Sequence, residues 1–117
     1  MNNRLFPRTP LLAGADPDAM RATIRAYFHA TCDRYEQLFE TLAADDAWYR
    51  KPIALRHPLI FYFGHTATFF VNKLVLAGLL DERLDPRLES MFAVGVDEMS
   101  WDDLDETRYD WPAVEEV

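Results

Sequence analysis

Four residues of this chain carry the side chains most often used for metal ligation or nucleophilic attack: His29, Cys32, His57 and His65. Their spacing matches no local metal or redox motif. There is no H-E-x-x-H and no C-x-x-C, and one cysteine forms no internal disulfide. The acids Asp103 and Asp105 lack the glycine and the closing glutamate of a calcium loop. Gly14, Gly64, Gly78 and Gly95 are scattered, so no phosphate-cradling loop is present. Cys32 lies near the edge of an apolar helix face and reads as a small core filler. The most unusual placement is that of His65, inside LIFYFGHTATFFVNKLVLAGLL at residues 59 to 80. A lone histidine on an apolar helix is most often a hydrogen-bonded core residue. As a metal ligand it needs partners, because an iron or zinc site takes about three protein ligands. His29 and His57 are poor partners by spacing: His29 falls on a wet helix face, and His57 precedes Pro58 at a helix start, where capping is its expected role.

The elements that must position His65 follow from periodicity. Asp16 and Pro17 supply an N-cap and a first helical residue. Met20, Ile24, Tyr27, Phe28, Thr31, Tyr35, Leu38, Phe39 and Leu42 then recur at steps of three and four. This predicts an amphipathic helix of about 28 residues, packed on one side only. Residues 1 to 15 read as an extended arm, and residues 16 to 117 as one domain. Residues 43 to 58, with Pro52 and Pro58, read as a connection. A second helix is expected from about Pro58 to Leu80, ended by Asp81, Glu82, Asp85 and Pro86. Residues 87 to 109 show no sustained period, although RLESMFAV could form one or two helical turns. Asp110-Trp111-Pro112 resembles a further helix start with Asp110 as cap, so that the sequence runs out in a fresh helix.

At about 100° per residue, His65, Asn72, Thr68 and Tyr62 fall on one mixed polar and aromatic stripe of the second helix. Asn72 and Tyr62 are then the candidates for orienting the imidazole ring. Gly64 beside His65 removes a side chain and lets another helix approach. Lys73 lies at the stripe's edge, where its stem can rest on apolar surface with the amine in water.

Composition limits the function classes. The 117 residues suffice for one small domain, half of them hydrophobic, with a formal net charge of −8. That charge argues against nucleic acid and anionic membrane surfaces as partners. Nine acids and one base, Arg108, lie between Asp97 and Val117, so this tail carries the net charge of the whole chain. The second helix is long enough to span a bilayer, but a central Lys73 costs roughly 2.5–3.5 kcal/mol on insertion scales. A buried bundle helix is the better expectation. A single cysteine and an N-terminus without an apolar signal region point to the cytoplasm.

Two segments, RHPLIFYFGHTATFFVNKLVLAGLL (56–80) and RLESMFAVGVDEMSWDDLDETRYDWP (87–112), cover about half the chain. They resemble the N-terminal DinB-like domain of the 5-histidylcysteine sulfoxide synthases of ovothiol biosynthesis. The related ergothioneine-pathway synthases share only the shorter pattern GHTATFF (64–70). The resemblance implies an all-α chain forming the first half of a DinB-like four-helix bundle: two long antiparallel helices, an irregular acidic tail and the start of a third helix. It implies a mononuclear iron(II) held by three histidines, of which the GHT motif supplies His65. The other two belong to an H-x-x-x-H-x-E motif that this sequence does not contain. The implied substrates are cysteine, histidine and dioxygen, joined as a sulfoxide between the cysteine sulfur and the imidazole. A formylglycine-generating-enzyme-like domain, which completes the family's active site, is also missing from this sequence, so the chain alone is expected to be inactive. A different class of function stands beside this one: a stand-alone helical interaction module that dimerises into a four-helix bundle without catalysis, through its exposed helix faces.

Overall fold

The structure is a computed structural model and describes residues 8–14, 16–94 and 109–117. The described residues are helical with no strand, so the fold class is all-α. The chain divides into two compact units, Met1–Thr41 and Leu42–Val117. Much of the acidic tail, and with it the segment GVDEMSWDDL and the Asp103 and Asp105 pair, lies outside the described residues.

The first unit contains α1, Pro17–Phe39, preceded by residues 8–14 without regular structure. Asp16 caps it as the sequence predicts: its carboxylate accepts from the backbone N–H groups of Asp18 at 3.0 Å and Ala19 at 3.3 Å. The helix is 23 residues long, shorter than the expected 28 or so. It stops because Thr41 turns back on it, donating its hydroxyl to the Leu38 carbonyl at 2.6 Å. A threonine hydroxyl that bonds the nearby backbone competes with continued helix. None of the α1 residues is buried, and Ile24, Phe28 and Leu38 are exposed. Of the apolar stripe read from the sequence, Met20, Tyr27, Tyr35 and Phe39 are half-buried and the rest of its α1 residues are exposed.

The second unit is built on α2, Leu59–Leu76, and α3, Pro86–Met91. Pro58 precedes α2 in an extended conformation, and no side chain caps the helix there. The expected C-terminus near Leu80 is corrected to Leu76. Gly78 adopts φ 70°, the Leu79 N–H donates to the Leu74 carbonyl at 2.9 Å, and the Gly78 N–H donates to Val75 at 3.0 Å. This is a Schellman turn, and glycine is what permits its left-handed residue. Of the residues expected to end α2, Asp85 and Pro86 belong to the next element, and Asp81 and Glu82 lie in the connection between the two helices. Asp85 caps α3, accepting from the Leu88 N–H at 3.0 Å, with Pro86 in the first turn. In the connection before α2, Asp45–Trp48 forms a 3-10 turn. The expected helix start at Asp110 is also corrected: Asp110 does not cap, and a single 3-10 turn forms at Val114–Glu116 behind Ala113. Glu116 reaches back to accept the Ala113 N–H at 3.2 Å and so closes that turn locally.

The core of this unit is Ile60 and Phe61 from α2, Leu88 from α3 and Phe92 just after it. Tyr62, Trp111 and Val117 pack around Phe61, Leu88 and Phe92. Phe92 lies directly over Gly64. A Cβ built on residue 64 would come within 2.4 Å of the Phe92 ring. The close approach expected of another helix at Gly64 is made instead by Phe92, the residue just past the end of α3. Trp111 stacks on Phe92 with 6.1 Å between ring centroids, which fastens the end of the chain to the same cluster.

The two glycines carry different constraints, and substitution separates them. Gly64→Ala should destabilise the Leu42–Val117 unit by about 1–3 kcal/mol through overpacking against Phe92. Gly78→Ala should cost about 1 kcal/mol from backbone strain alone, since nothing lies within 4 Å of its Cβ. Urea unfolding followed by tryptophan emission measures both, and Gly64→Ala should also disturb the near-ultraviolet signal of the Phe92–Trp111 cluster.

Candidate functional site around His65

α2 turns its polar stripe toward α3, and the reason lies in the ends of short helices. A helix leaves its last carbonyls without intrahelical partners. α3 has only six residues, so these groups are a large part of it. Asn72 donates from Nδ2 to the Glu89 carbonyl at 3.0 Å. Two turns earlier on the same face, His65 bonds through Nδ1 to the Phe92 carbonyl at 2.7 Å. Two polar side chains seven residues apart on α2 thus satisfy two carbonyls at the end of α3.

The second bond determines the state of the ring. A carbonyl oxygen only accepts, so His65 must carry its proton on Nδ1 to make this contact. In the neutral ring the lone pair then resides on Nε2. No described residue hydrogen-bonds to Nε2. The ring is flanked by two aromatic residues of its own helix. Phe61 lies nearly parallel to it at 5.7 Å, and Phe69 is tilted at 5.8 Å on the other side. Lys73 places its ammonium 5.3 Å from the Phe69 centroid, an exposed cation–π contact consistent with the snorkelling expected of it.

The sequence-based assignment of ring orientation to Asn72 or Tyr62 is corrected. Asn72 is seven residues along the helix, about 10 Å of rise from His65, and is engaged by Glu89. The Tyr62 hydroxyl accepts the backbone N–H of His57 at 3.3 Å. The orienting group is a main-chain carbonyl from a segment 27 residues away. Backbone acceptors have no sequence signature, so nothing in the local pattern could have revealed it.

His57 is corrected as well. It does not cap α2; its ring is buried at 2% exposure. It stacks on Phe61 at 4.0 Å and meets Tyr109 and Trp111 edge-on at 5.8 and 6.1 Å. Phe61 therefore lies in contact with both imidazoles, His57 and His65. His29 is exposed on α1, as its position on the wet stripe predicts. Among the described residues no group of three or more His, Cys, Asp or Glu side chains could hold a metal ion together.

Glu89, beside this site, is buried at 2%. Its carboxylate accepts from Arg83 Nε at 3.3 Å and from the backbone N–H of Asp85. Arg83 in turn donates to the Pro86 carbonyl at 3.0 Å and the Ser90 hydroxyl at 2.8 Å. This paired charge stiffens the start of α3, since a buried carboxylate is stable only with such partners. The sequence reading missed Glu89. An acid four residues after the Asp85 cap was the available signal.

Cys32 is half-buried on α1. Burial pushes its thiol above the ordinary range, and the negative charges of Glu36 and Asp33 add to that. A raised thiol has little thiolate near neutrality, which argues against a nucleophile, and the core-filler expectation is not met because no α1 residue is buried.

Two measurements follow. Alkylation of Cys32 by iodoacetamide at mildly alkaline pH should be slower than that of free cysteine, and its thiolate absorbance should rise at a pH above the free thiol's. For His65, nitrogen-15 NMR of the side chain should show the Nδ1–H tautomer at alkaline pH. His65→Ala should destabilise the unit by about 1–3 kcal/mol by leaving the Phe92 carbonyl unmatched. No family model and no curated protein matches this chain, so the likeness to the sulfoxide synthases rests on the two segments themselves.

Proposed function

We propose that this chain is part of a non-haem iron(II)-dependent sulfoxide synthase of the 5-histidylcysteine type, folded as the first half of a DinB-like four-helix bundle with α1 and α2 antiparallel. The observation that carries the reading is the bond from His65 Nδ1 to the Phe92 carbonyl. Metal-bound histidines characteristically give their other ring N–H to a carbonyl or carboxylate, which fixes the tautomer and aims the free nitrogen. Imidazole also suits iron as a donor. His65 meets that description with Nε2 as the ligating atom.

When bound, iron(II) would supply the site at which dioxygen and the cysteine sulfur are brought together for the oxidation. The residues of this chain contribute binding and orientation. The Phe92 carbonyl holds the Nδ1 proton, and Phe61 and Phe69 confine the ring. Gly64 allows Phe92 to approach closely enough for its carbonyl to reach. The remaining histidines of the family's H-x-x-x-H-x-E motif are absent from this sequence. One imidazole holds iron only weakly, so these residues alone carry no activity in this reading. Cysteine, histidine and dioxygen are the proposed substrates, and the cytoplasm is the proposed compartment, with neither nucleic acid nor a membrane as partner. α2 is nevertheless long and apolar enough to cross a membrane by length and composition. Lys73 on α2 and the contacts of its polar stripe with α3 favour the bundle.

A second reading has its own observation. α1 leaves Ile24, Phe28 and Leu38 exposed, the arrangement expected of a helix that pairs with another copy. In that case the chain is an interaction module without catalysis.

Titration of the nitrogen-15-labelled chain with cobalt(II) tests the first reading. Paramagnetic broadening should centre on the His65 ring, ahead of exposed His29, and should disappear in His65→Ala. Broadening confined to acidic residues would remove His65 from consideration. The chain supplied with cysteine, histidine, iron(II) and oxygen should release no sulfoxide, and a product would sink the one-ligand reading. A dimer by light scattering that persists on dilution, together with unbroadened His65, is the outcome that selects the interaction module.

A further inference from the structure

The Leu42–Val117 unit contains an open cleft of about 260 Å³ that the His65 site does not use. Asp45, Trp48 and Tyr49 line one side, from the first 3-10 turn and its end, and Val114 and Glu115 line the other. The walls are tied together. The Tyr49 hydroxyl donates to the Pro112 carbonyl at 3.2 Å. Trp48 packs against Phe63 of α2 in a T-shaped pair at 5.3 Å. Arg87 holds the second turn through Glu116 at 3.0 Å.

The charges around the cleft are unequal. The neighbours of its two acids are paired: Asp46 lies 3.7 Å from Arg50, and Glu116 lies 3.0 Å from Arg87. Asp45 and Glu115 have no ion pair among the described residues, and no base lines the cleft. The lining thus combines two carboxylates with an indole, a phenol and an isopropyl group. A hard divalent cation would need six or more oxygen ligands, which this lining does not offer. An organic cation uses both features at once, because aromatic rings attract cations and also accept apolar substituents. The volume lies below the roughly 300–1,000 Å³ of pockets for drug-sized ligands, so the occupant must be small.

We propose that this cleft binds a small organic ammonium ion, an alkylated or methylated amine. Its cationic head would lie against Trp48 and Tyr49, with Asp45 and Glu115 supplying the countercharge. Binding here is independent of iron and of His65.

The test uses tetramethylammonium chloride as the probe and NMR of the Trp48 indole N–H and the Tyr49 backbone amide as the readout. Sodium chloride at equal ionic strength and neutral tert-butanol are the comparisons. The expected result is a saturable shift with tetramethylammonium only. Asp45→Asn and Glu115→Gln should each weaken binding roughly two- to five-fold, and Trp48→Leu should weaken it by about as much or more, read at Tyr49. The two carboxylates are exposed, so their substitution leaves the fold in place even if Trp48→Leu loosens the packing on Phe63. Equal shifts with tert-butanol, no saturation, or unchanged binding in the Asp45→Asn, Glu115→Gln double variant would each overturn the proposal.

Discussion

The Phe92 ring occupies the space that a Cβ on residue 64 would need. That single missing carbon governs how near the end of α3 comes to α2. With the ring seated there, the Phe92 carbonyl lies 2.7 Å from His65 Nδ1, and Asn72 reaches the Glu89 carbonyl two helical turns along. A bulkier residue would have to displace the Phe92 ring, whose own carbonyl is the partner of His65. Trp111 then stacks on the outer side of Phe92, and His57 and Phe61 close the cluster from α2 and its leading segment. Local packing, the polar satisfaction of α3 and the setting of His65 all depend on one close approach.

α3 itself has little intrinsic stability. Six residues form barely more than one turn, far below the length at which a helix persists alone in water. Its ends are held by side chains instead. At the start the Asp85 carboxylate accepts the Leu88 N–H and the Glu89 carboxylate accepts the Asp85 N–H, with Arg83 covering the buried Glu89 carboxylate. At the far end the carbonyls turn to the stripe on α2. This accounts for the polar residues inside an otherwise apolar helix without any appeal to function. Asn72 and His65 are placed where an incomplete helix needs donors.

The sequence made some of this visible and concealed the rest for identifiable reasons. The Asp16–Pro17 start of α1 was legible because a long periodic pattern follows it. The same dipeptide at Asp85–Pro86 was read as a stop, because six residues are too few to show a period. Gly78 was lost among apolar neighbours although its left-handed turn ends α2. The stripe of His65, Asn72, Thr68 and Tyr62 was legible from helical phase, as was the need for Gly64. Which groups meet that stripe was not, because the acceptors are backbone carbonyls. His57 was misread because burial among aromatic rings depends on Tyr109 and Trp111, more than fifty residues away in the chain.

The comparison between positions 65 and 72 bears on what His65 is for. Both residues perform the same structural task, donating one N–H to one carbonyl of α3. Asn72 does so with an amide, and at position 65 an amide on a slightly longer stem has the same donor. Satisfying Phe92 therefore does not by itself call for an imidazole. What the imidazole adds is a second nitrogen, rigidly related to the first, that becomes a lone-pair donor once the first holds the proton. The main-chain carbonyl selects that tautomer, and Phe61 and Phe69 limit how the ring can turn. The structural need explains a donor at position 65. The free Nε2 is what histidine supplies there beyond the donor.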